Sequence, residues 1–339
     1  MQLFFRRQWF LLGLGLVLGA GFFYHGPLEV VAAAIPRREI VALVLFLMAL
    51  PLEIGTMWRV MRRPGPALLA VAINFGLLPP VAWAVSMVLP PDLAIGLVII
   101  SAIPCTIASV VVWTRRAGGN DAVAILVTMI TNLTCFIVTP AWLRLMTQTH
   151  VAIDPVDMAR RLALIVVLPI FVAQILRLYG PLAARATEHK VALGVLSQFG
   201  ILSIIFIGAV GSGAKLGIGG EADAAIGAAD WALMLACVVG VHLALLAVGH
   251  ALARLLGMER PDRIAVGFGG SQKTLMVGLD IGAEHFPTMP LAMLPMVAYH
   301  ICQLLVDTLI ADRLRRQQES PTAAAGDSSS RLADEAEGR

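Results

Sequence analysis

The chain has 339 residues, 58% of them hydrophobic and only 14% charged, with a mean hydropathy of +0.84 and a formal net charge of +3. Soluble domains carry about 45–50% apolar and about 25% charged residues, so this composition excludes a soluble enzyme or binding module and points to an all-α polytopic membrane protein whose first partner is the lipid bilayer. A small positive charge, placed as short arginine clusters between apolar runs, also excludes nucleic acid as a partner.

At about 20 residues per span, the apolar segments in chain order are 8–24, 39–57, 67–89, 92–114, 120–146, 160–179, 191–214, 229–256, 262–285 and 289–312, which makes ten. The first follows Arg6-Arg7 and reads as an uncleaved helix rather than a secretory signal, because further spans follow it. If the loops alternate sides, Arg6-Arg7, Arg62-Arg63, Arg115-Arg116, Arg260, Arg263 and Arg313 to Arg316 fall on one side, with Arg59, Arg177, Arg185, Lys190 and Arg254. Arg37-Arg38, Arg144, Arg160-Arg161 and Lys215 fall on the other. The positive-inside rule then puts both termini in the cytoplasm, in a cell (inner) membrane. After Arg316 the composition turns to Gln, Glu, Ser, Ala, Gly and Asp, so residues 317–339 are expected to be a disordered cytoplasmic tail behind a membrane domain of residues 1–316. Cys105, Cys135, Cys237 and Cys302 lie in apolar segments without paired spacing and read as small core residues. No metal-ligand pattern occurs, and no cofactor is expected beyond a coupling ion, proton or sodium.

Two segments are interrupted. The fourth carries Ser101-Ala102-Ile103-Pro104-Cys105-Thr106 at its centre, where Pro104 removes a backbone donor and disfavours helix at Ile103. The ninth carries Gly267-Phe268-Gly269-Gly270-Ser271-Gln272-Lys273-Thr274. Taken alone, Pro104 is an ordinary membrane-helix kink. Together the two breaks occupy the same ordinal place in each of two five-helix halves, and because five is odd the second half is inverted. The expected fold is therefore ten transmembrane helices as two inverted five-helix repeats, with broken, crossing fourth and ninth helices, broken at Pro104 and at Gly269-Gly270. Broken helices at matching places of inverted repeats mark a transport site, since free helix ends and unwound backbone can hold substrate or ions.

Lys273 lies near the middle of its span, too deep to snorkel, so it faces a cavity or a partner. A purely structural ion pair is the bland alternative, with Glu53, Asp280 and Asp307 as candidate carboxylates. The other candidate substrate- or ion-binding residues are Thr106 and Ser109 beside the first break, Thr128 and Asn132 on neighbouring turns of the fifth segment, Ser271 and Gln272 beside Lys273, and His300, three residues from Gln303. Each has a structural alternative, because polar side chains also join membrane helices without further function. Ala117-Gly118-Gly119-Asn120-Asp121 reads as a helix hairpin, glycine ending one helix and Asn or Asp capping the next.

Ile103-Pro104-Cys105-Thr106, Trp113-Thr114, Ala117-Gly118-Gly119-Asn120 and Gly269-Gly270-Ser271-Gln272-Lys273-Thr274-Leu275, with the ten-span plan, resemble the SBF-like transporters, relatives of the bile acid:sodium symporters. The resemblance runs up to about Gln317, and its most specific part is Gly270-Ser271-Gln272-Lys273. It implies a core domain built on the crossing helices, moving against a panel of the first, second, sixth and seventh, and carrying amphipathic organic anions with sodium. Thr128 matches a sodium-ligand threonine, and Gln272 is retained. The glutamate expected four residues before Gln272 is Phe268, however, and an expected asparagine after Ser109 is Val110. Lys273 stands where the symporters have asparagine, so its ammonium is expected to take the place of a sodium ion, leaving transport sodium-independent or proton-coupled. The expected function is secondary active transport of a small organic anion by alternating access. The alternatives are a non-transporting regulator of ion flux on the same fold and, remotely, an intramembrane serine hydrolase using Ser271 and His300.

Overall fold

The computed structural model describes residues 2–52, 62–147, 154–216 and 227–337, and no strand occurs among them. Helix α1 (Gln2–Phe23) turns by 115° into α2 (His25–Ala34), and α3 is Arg37–Ala49. Helix α4 (Gly65–Ser86) contains a π-helical stretch at Ala72–Leu77. Next come α5 (Pro91–Ala102), α6 (Ser109–Arg116) and α7 (Asp121–Thr147). Helix α8 (Pro155–Arg177) has its own π stretch at Ala163–Val167, and α9 (Gly180–Glu188), α10 (Lys190–Leu216) and α11 (Ala228–Leu255) follow. Helices α12 (Arg260–Ser271) and α13 (Leu275–His285) precede a short turn at Pro290–Ala292 and α14 (Met293–Glu337).

Among the described residues six helical runs are long and apolar enough to cross a membrane, namely α4, α7, α8, Lys190–Ala214 within α10, α11 and Pro290–Gln317, and the bent pair α1–α2 makes a seventh if counted as one. The protein is thus an all-helical polytopic membrane protein. The other expected spans correspond to shorter pieces: α3, the pair α5 and α6, and the pair α12 and α13. Glu53, Arg59 and the end of the 39–57 segment lie outside the described residues. Helical backbone continues to Glu337 through the stretch expected to be a tail.

The helices pack as two groups. Helix α10 lies along α1, α2 and α3, and α8 bridges the groups, its first half packing on α7 and its second half on α3. In the second group α12 lies against α11, α4 and α7, while α5 lies against α4 and α14. Helix α12 is buried from Ile264 to Ser271, and α13 from Leu275 to Gly282. These two short helices therefore face protein rather than lipid, which is why they tolerate glycines and polar side chains that a lipid-facing helix would not.

Local chemistry explains the hairpin at 116–121. Gly118 has φ of 74°, a left-handed conformation that suits glycine. Its N–H donates to Arg115 O at 3.1 Å, and the Gly119 N–H to Thr114 O at 2.8 Å, which closes α6 with a Schellman motif. Asn120 then caps α7, its Oδ1 accepting from Val123 N at 3.4 Å. The same asparagine reaches the start of α12, with its N–H on Pro261 O at 2.9 Å and its Nδ2 on Asp262 Oδ1 at 2.8 Å.

Candidate functional site at two helix breaks

Helix α5 stops at Ala102, and Ile103 is extended (φ −83°, ψ 166°), as the proline after it requires. Six residues, 103–108, run without regular structure before α6 begins at Ser109. Helix α12 stops at Ser271, and Gln272 and Thr274 are extended (φ −79°, ψ 144° and φ −83°, ψ 127°) before α13 begins. No proline breaks this second helix, so the turning point is held by tertiary hydrogen bonds. The two breaks touch directly, because the Thr274 N–H donates to Pro104 O at 3.0 Å.

Each break is supported by the second helix after it in sequence, α7 for the first and α14 for the second. At Cys105 the N–H donates to Thr131 Oγ1 at 3.2 Å, and the carbonyl accepts from Asn132 Nδ2 at 2.9 Å. At Lys273 a single glutamine does both tasks: the Lys273 N–H donates to Gln303 Oε1 at 3.0 Å, and Gln303 Nε2 donates to Lys273 O at 2.9 Å. Thr128 Oγ1 donates to Thr106 O at 3.1 Å, and Tyr299 OH to Ser271 O at 2.7 Å. Unwound backbone in a membrane interior must find such partners, since water is absent and an unpaired group costs several kcal/mol.

The Lys273 side chain is fully buried, and its ammonium donates to three oxygens at 2.8 Å each: Asn74 O, Asn74 Oδ1 and Ile103 O. It also lies 5.2 Å from the centroid of the Phe75 ring, within cation–π range. The prolines of α4 account for the first oxygen. In an α-helix the carbonyls of Phe75 and Gly76 would accept from residues 79 and 80, but Pro79 and Pro80 have no N–H. The π stretch shifts the register, so that the Leu78 N–H goes to Ile73 O, and this leaves Asn74 O and Phe75 O open. Lys273 takes the first, and Trp142 Nε1 takes the second at 2.7 Å. Asn74 also donates from Nδ2 to Gly269 O and Gln272 O at 2.9 and 3.0 Å, binding the end of α12 to α4.

Of the carboxylates considered as partners of Lys273, the two among the described residues are engaged elsewhere. Asp280 binds Arg37 and Arg161. Asp307 accepts from Gln272 Nε2 at 2.5 Å and lies 2.8 Å from His242 Nε2. Gln272 connects the breaks sideways as well, its Oε1 accepting from Ser109 Oγ at 3.0 Å, and the Ser109 and Thr106 hydroxyl oxygens lie 3.0 Å apart. Ser109 is half-buried and Ala108 beside it is exposed, so the network reaches the protein surface at this end.

Of the residues expected from sequence, Thr106, Ser109, Thr128, Asn132, Ser271, Gln272 and Lys273 are brought together around the two breaks. Asn132 Oδ1 is buried without a hydrogen-bond partner, a free acceptor at the first break. Gly270 allows α12 to approach α4, since a Cβ there would stand 2.9 Å from Ile73 Cγ2, and a Cβ on Gly269 would meet Val127 at 3.3 Å. His300 faces its own helix, its Nδ1 2.9 Å from Gln303 Nε2. Ser271 Oγ donates back to Gly267 O at 3.0 Å. No serine–histidine dyad forms between them, and the hydrolase alternative ends there. Asn74 and His242 were missed. Asn74 is a lone amide in an apolar segment followed by two prolines, which is a legible signal, whereas His242 carries no local signal.

Residues 8–316 match the SBF-like CPA transporter family. An uncharacterized protein of Pseudomonas aeruginosa is 27% identical over 94% of this chain and 88% of its own length. An uncharacterized sodium-dependent transporter of Bacillus subtilis, YocS, is 25% identical over 79% of each chain. Sodium/bile acid cotransporter 7 of Rattus norvegicus is 25% identical over 65% of this chain and 64% of its own.

Proposed function

The chain belongs to the SBF-like CPA transporter family, and on that premise we propose that it is a secondary active transporter of a small organic anion, working by alternating access in the cell membrane with both termini in the cytoplasm. In this reading ten spans form two inverted five-helix repeats, with α5–α6 and α12–α13 as the broken, crossing fourth and ninth. The reciprocal packing of α5 on α14 and of α12 on α7 supports the repeat. So does the matching support of Cys105 by α7 and of Lys273 by α14. Residues 1–316 are the transporting domain and 317–339 a tail outside it.

The observation that carries the coupling chemistry is the oxygen cage around Lys273, three neutral oxygens from α4 and from the break after α5. Uncharged carbonyl and amide oxygens around a full positive charge are what a bound alkali cation receives, and here the chain supplies the cation itself. With Phe268 at the glutamate position, no carboxylate from α12 contributes to the site. All three ammonium protons are committed to protein oxygens, so Lys273 attracts an anionic substrate through its field rather than by contact. The N-terminal ends of α6 and α13 supply the nearer positive potential.

Uptake into reconstituted vesicles, with sodium replaced by potassium or choline, tests this. Unchanged uptake is the expected result, a strict sodium requirement overturns it, and Lys273→Gln should remove any pH dependence if a proton is the coupling ion. A second reading, sodium coupling, is favoured by the names of the Bacillus and rat relatives and by the free Asn132 Oδ1 beside Thr106 and Thr128. Under that reading, sodium stabilises the wild-type protein and Asn132→Leu abolishes the effect.

A further inference from the structure

At the end of the molecule opposite the 116–121 hairpin, five charged side chains meet across the two helix groups. Asp280 and Glu284 stand four residues apart on one face of α13. Arg161 of α8 grips Asp280 with two parallel bonds, Nε to Oδ2 at 3.0 Å and Nη2 to Oδ1 at 2.9 Å, and reaches Glu284 with Nη1 at 2.6 Å. Arg37, the first residue of α3, lies 3.3 Å from Asp280 and 2.6 Å from Glu284, and Arg38 lies 2.5 Å from Glu284. Thus Arg37 and Arg38 come from one helix group and both carboxylates from the other, and Arg161 joins them from the start of α8, which lies between α7 and α3.

Two features separate this network from ordinary surface pairing. Asp280 is 1% exposed and the Arg161 side chain 9%, so salt screens the pair weakly, and separating it leaves a buried charge without a partner. Arg37 also sits in the first turn of a helix, where the dipole disfavours a cation, so its place is explained by the carboxylates opposite and not by α3. By contrast, Arg115–Asp121 and Arg116–Asp312 at the other end both stay within the second group. Directly under the network lies a cavity of about 210 Å³ with Arg37 at its rim. Ile204 and Ile207 of α10 form one wall, and Leu279, Phe286 and Met293 form the other. Its walls belong to different groups, so separating the groups widens it.

We propose that Arg37, Arg38, Arg161, Asp280 and Glu284 are a latch that holds the two helix groups closed at this end of the membrane, with the apolar cavity as the space it seals. The inference rests on the alternating-access reading above, because a latch has work to do only if the groups separate. It differs from a static brace in that breaking any member exposes the cavity from one side of the membrane while the rest of the fold stays intact.

The test places a single cysteine at Leu279, with the native cysteines replaced, and measures its labelling by a membrane-impermeant maleimide in right-side-out and inverted vesicles. Asp280→Asn and Arg161→Gln should each raise the rate about tenfold or more, from one side only. The double variant should label no faster than the faster single, since both remove the same contact. Glu284→Gln, at a more exposed position, serves if either buried variant fails to fold. An unchanged rate, a rise from both sides together, or additive effects would each overturn the latch. Labelling is independent of cargo: normal anion uptake with unchanged labelling removes the latch alone, whereas the expected labelling without anion flux removes the transport reading and leaves the gate.

Discussion

Lys273 shows how a charge can be held in a membrane interior by neutral oxygens, the partners its ammonium has among the described residues. Its ammonium relies on two oxygens of Asn74 and one of Ile103, and the same asparagine fastens α12 through Gly269 and Gln272. Asn74→Leu therefore takes the one side-chain acceptor from the charge, leaving it two backbone oxygens, and leaves the carbonyls of Gly269 and Gln272 without their donor. A hydrogen bond to a buried charge is worth about 1.5–3 kcal/mol and each carbonyl left unpaired costs about 1–3 kcal/mol more, so this variant should lose a large part of its stability in detergent unfolding. Adding Lys273→Met removes the charge along with the cage, and the double variant should recover a large part of the loss. A double variant as unstable as Asn74→Leu alone would mean that the amide's bonds to α12, rather than the ammonium, carry the cost. The lysine was legible in the sequence because a charge at mid-span is conspicuous in any apolar segment. Its cage was not, since which carbonyls Pro79 and Pro80 release depends on a local π register, and which donor meets them depends on the helix opposite. Asp307 was legible only as one candidate among three, and contact alone assigns it to Gln272 and His242.

At the scale of elements, the two breaks differ in how they are encoded. Pro104 fixes the first in two residues of covalent geometry, and the backbone turns where the sequence says it must. The second is encoded by composition, as glycines and polar side chains where a lipid-facing helix would be apolar, while its position at 272–274 is set by Asn74, Gln303 and Pro104 O. Close approach of α12 to α4 is a condition for those bonds, and it makes Gly270 a packing requirement. Gly270→Ala puts a methyl group 2.9 Å from Ile73 Cγ2, an overpacking that costs about 1–3 kcal/mol, and Ile73→Ala in the same chain should return part of it. Gly15, with nothing within 4 Å of a built Cβ, provides the control. Alanine there should be neutral or stabilising by up to about 1 kcal/mol, the usual helix gain over glycine. Equal losses at the two glycines, measured by thermal unfolding in detergent, would mean that close packing against α4 is not what Gly270 serves.

For the whole molecule, three of the basic clusters are tied together at one end. Asn120 joins the 116–121 hairpin to Pro261 and Asp262, Arg116 joins it to Asp312, and Arg260 Nη2 donates to Leu314 O at 2.8 Å. The basic clusters at 115–116, 260–263 and 313–316 therefore gather at one end, and Arg37, Arg38 and Arg161 gather at the other with Asp280 and Glu284 among them. The second set is largely neutralised by those carboxylates. The first set also has acids nearby but continues into Arg313, Arg315 and Arg316 at the end of the membrane domain. Because Lys and Arg near span ends, rather than net charge, decide orientation, the end carrying 313–316 should face the cytoplasm. Cysteines introduced singly at Gln317 and at Tyr24, which is exposed at the bend between α1 and α2, read this directly. In right-side-out vesicles an impermeant maleimide should label position 24 and spare 317, and inverted vesicles should reverse the pattern. The opposite result would turn the protein over in the membrane and place the arginine–carboxylate latch on the cytoplasmic side, with its residues and its geometry unchanged.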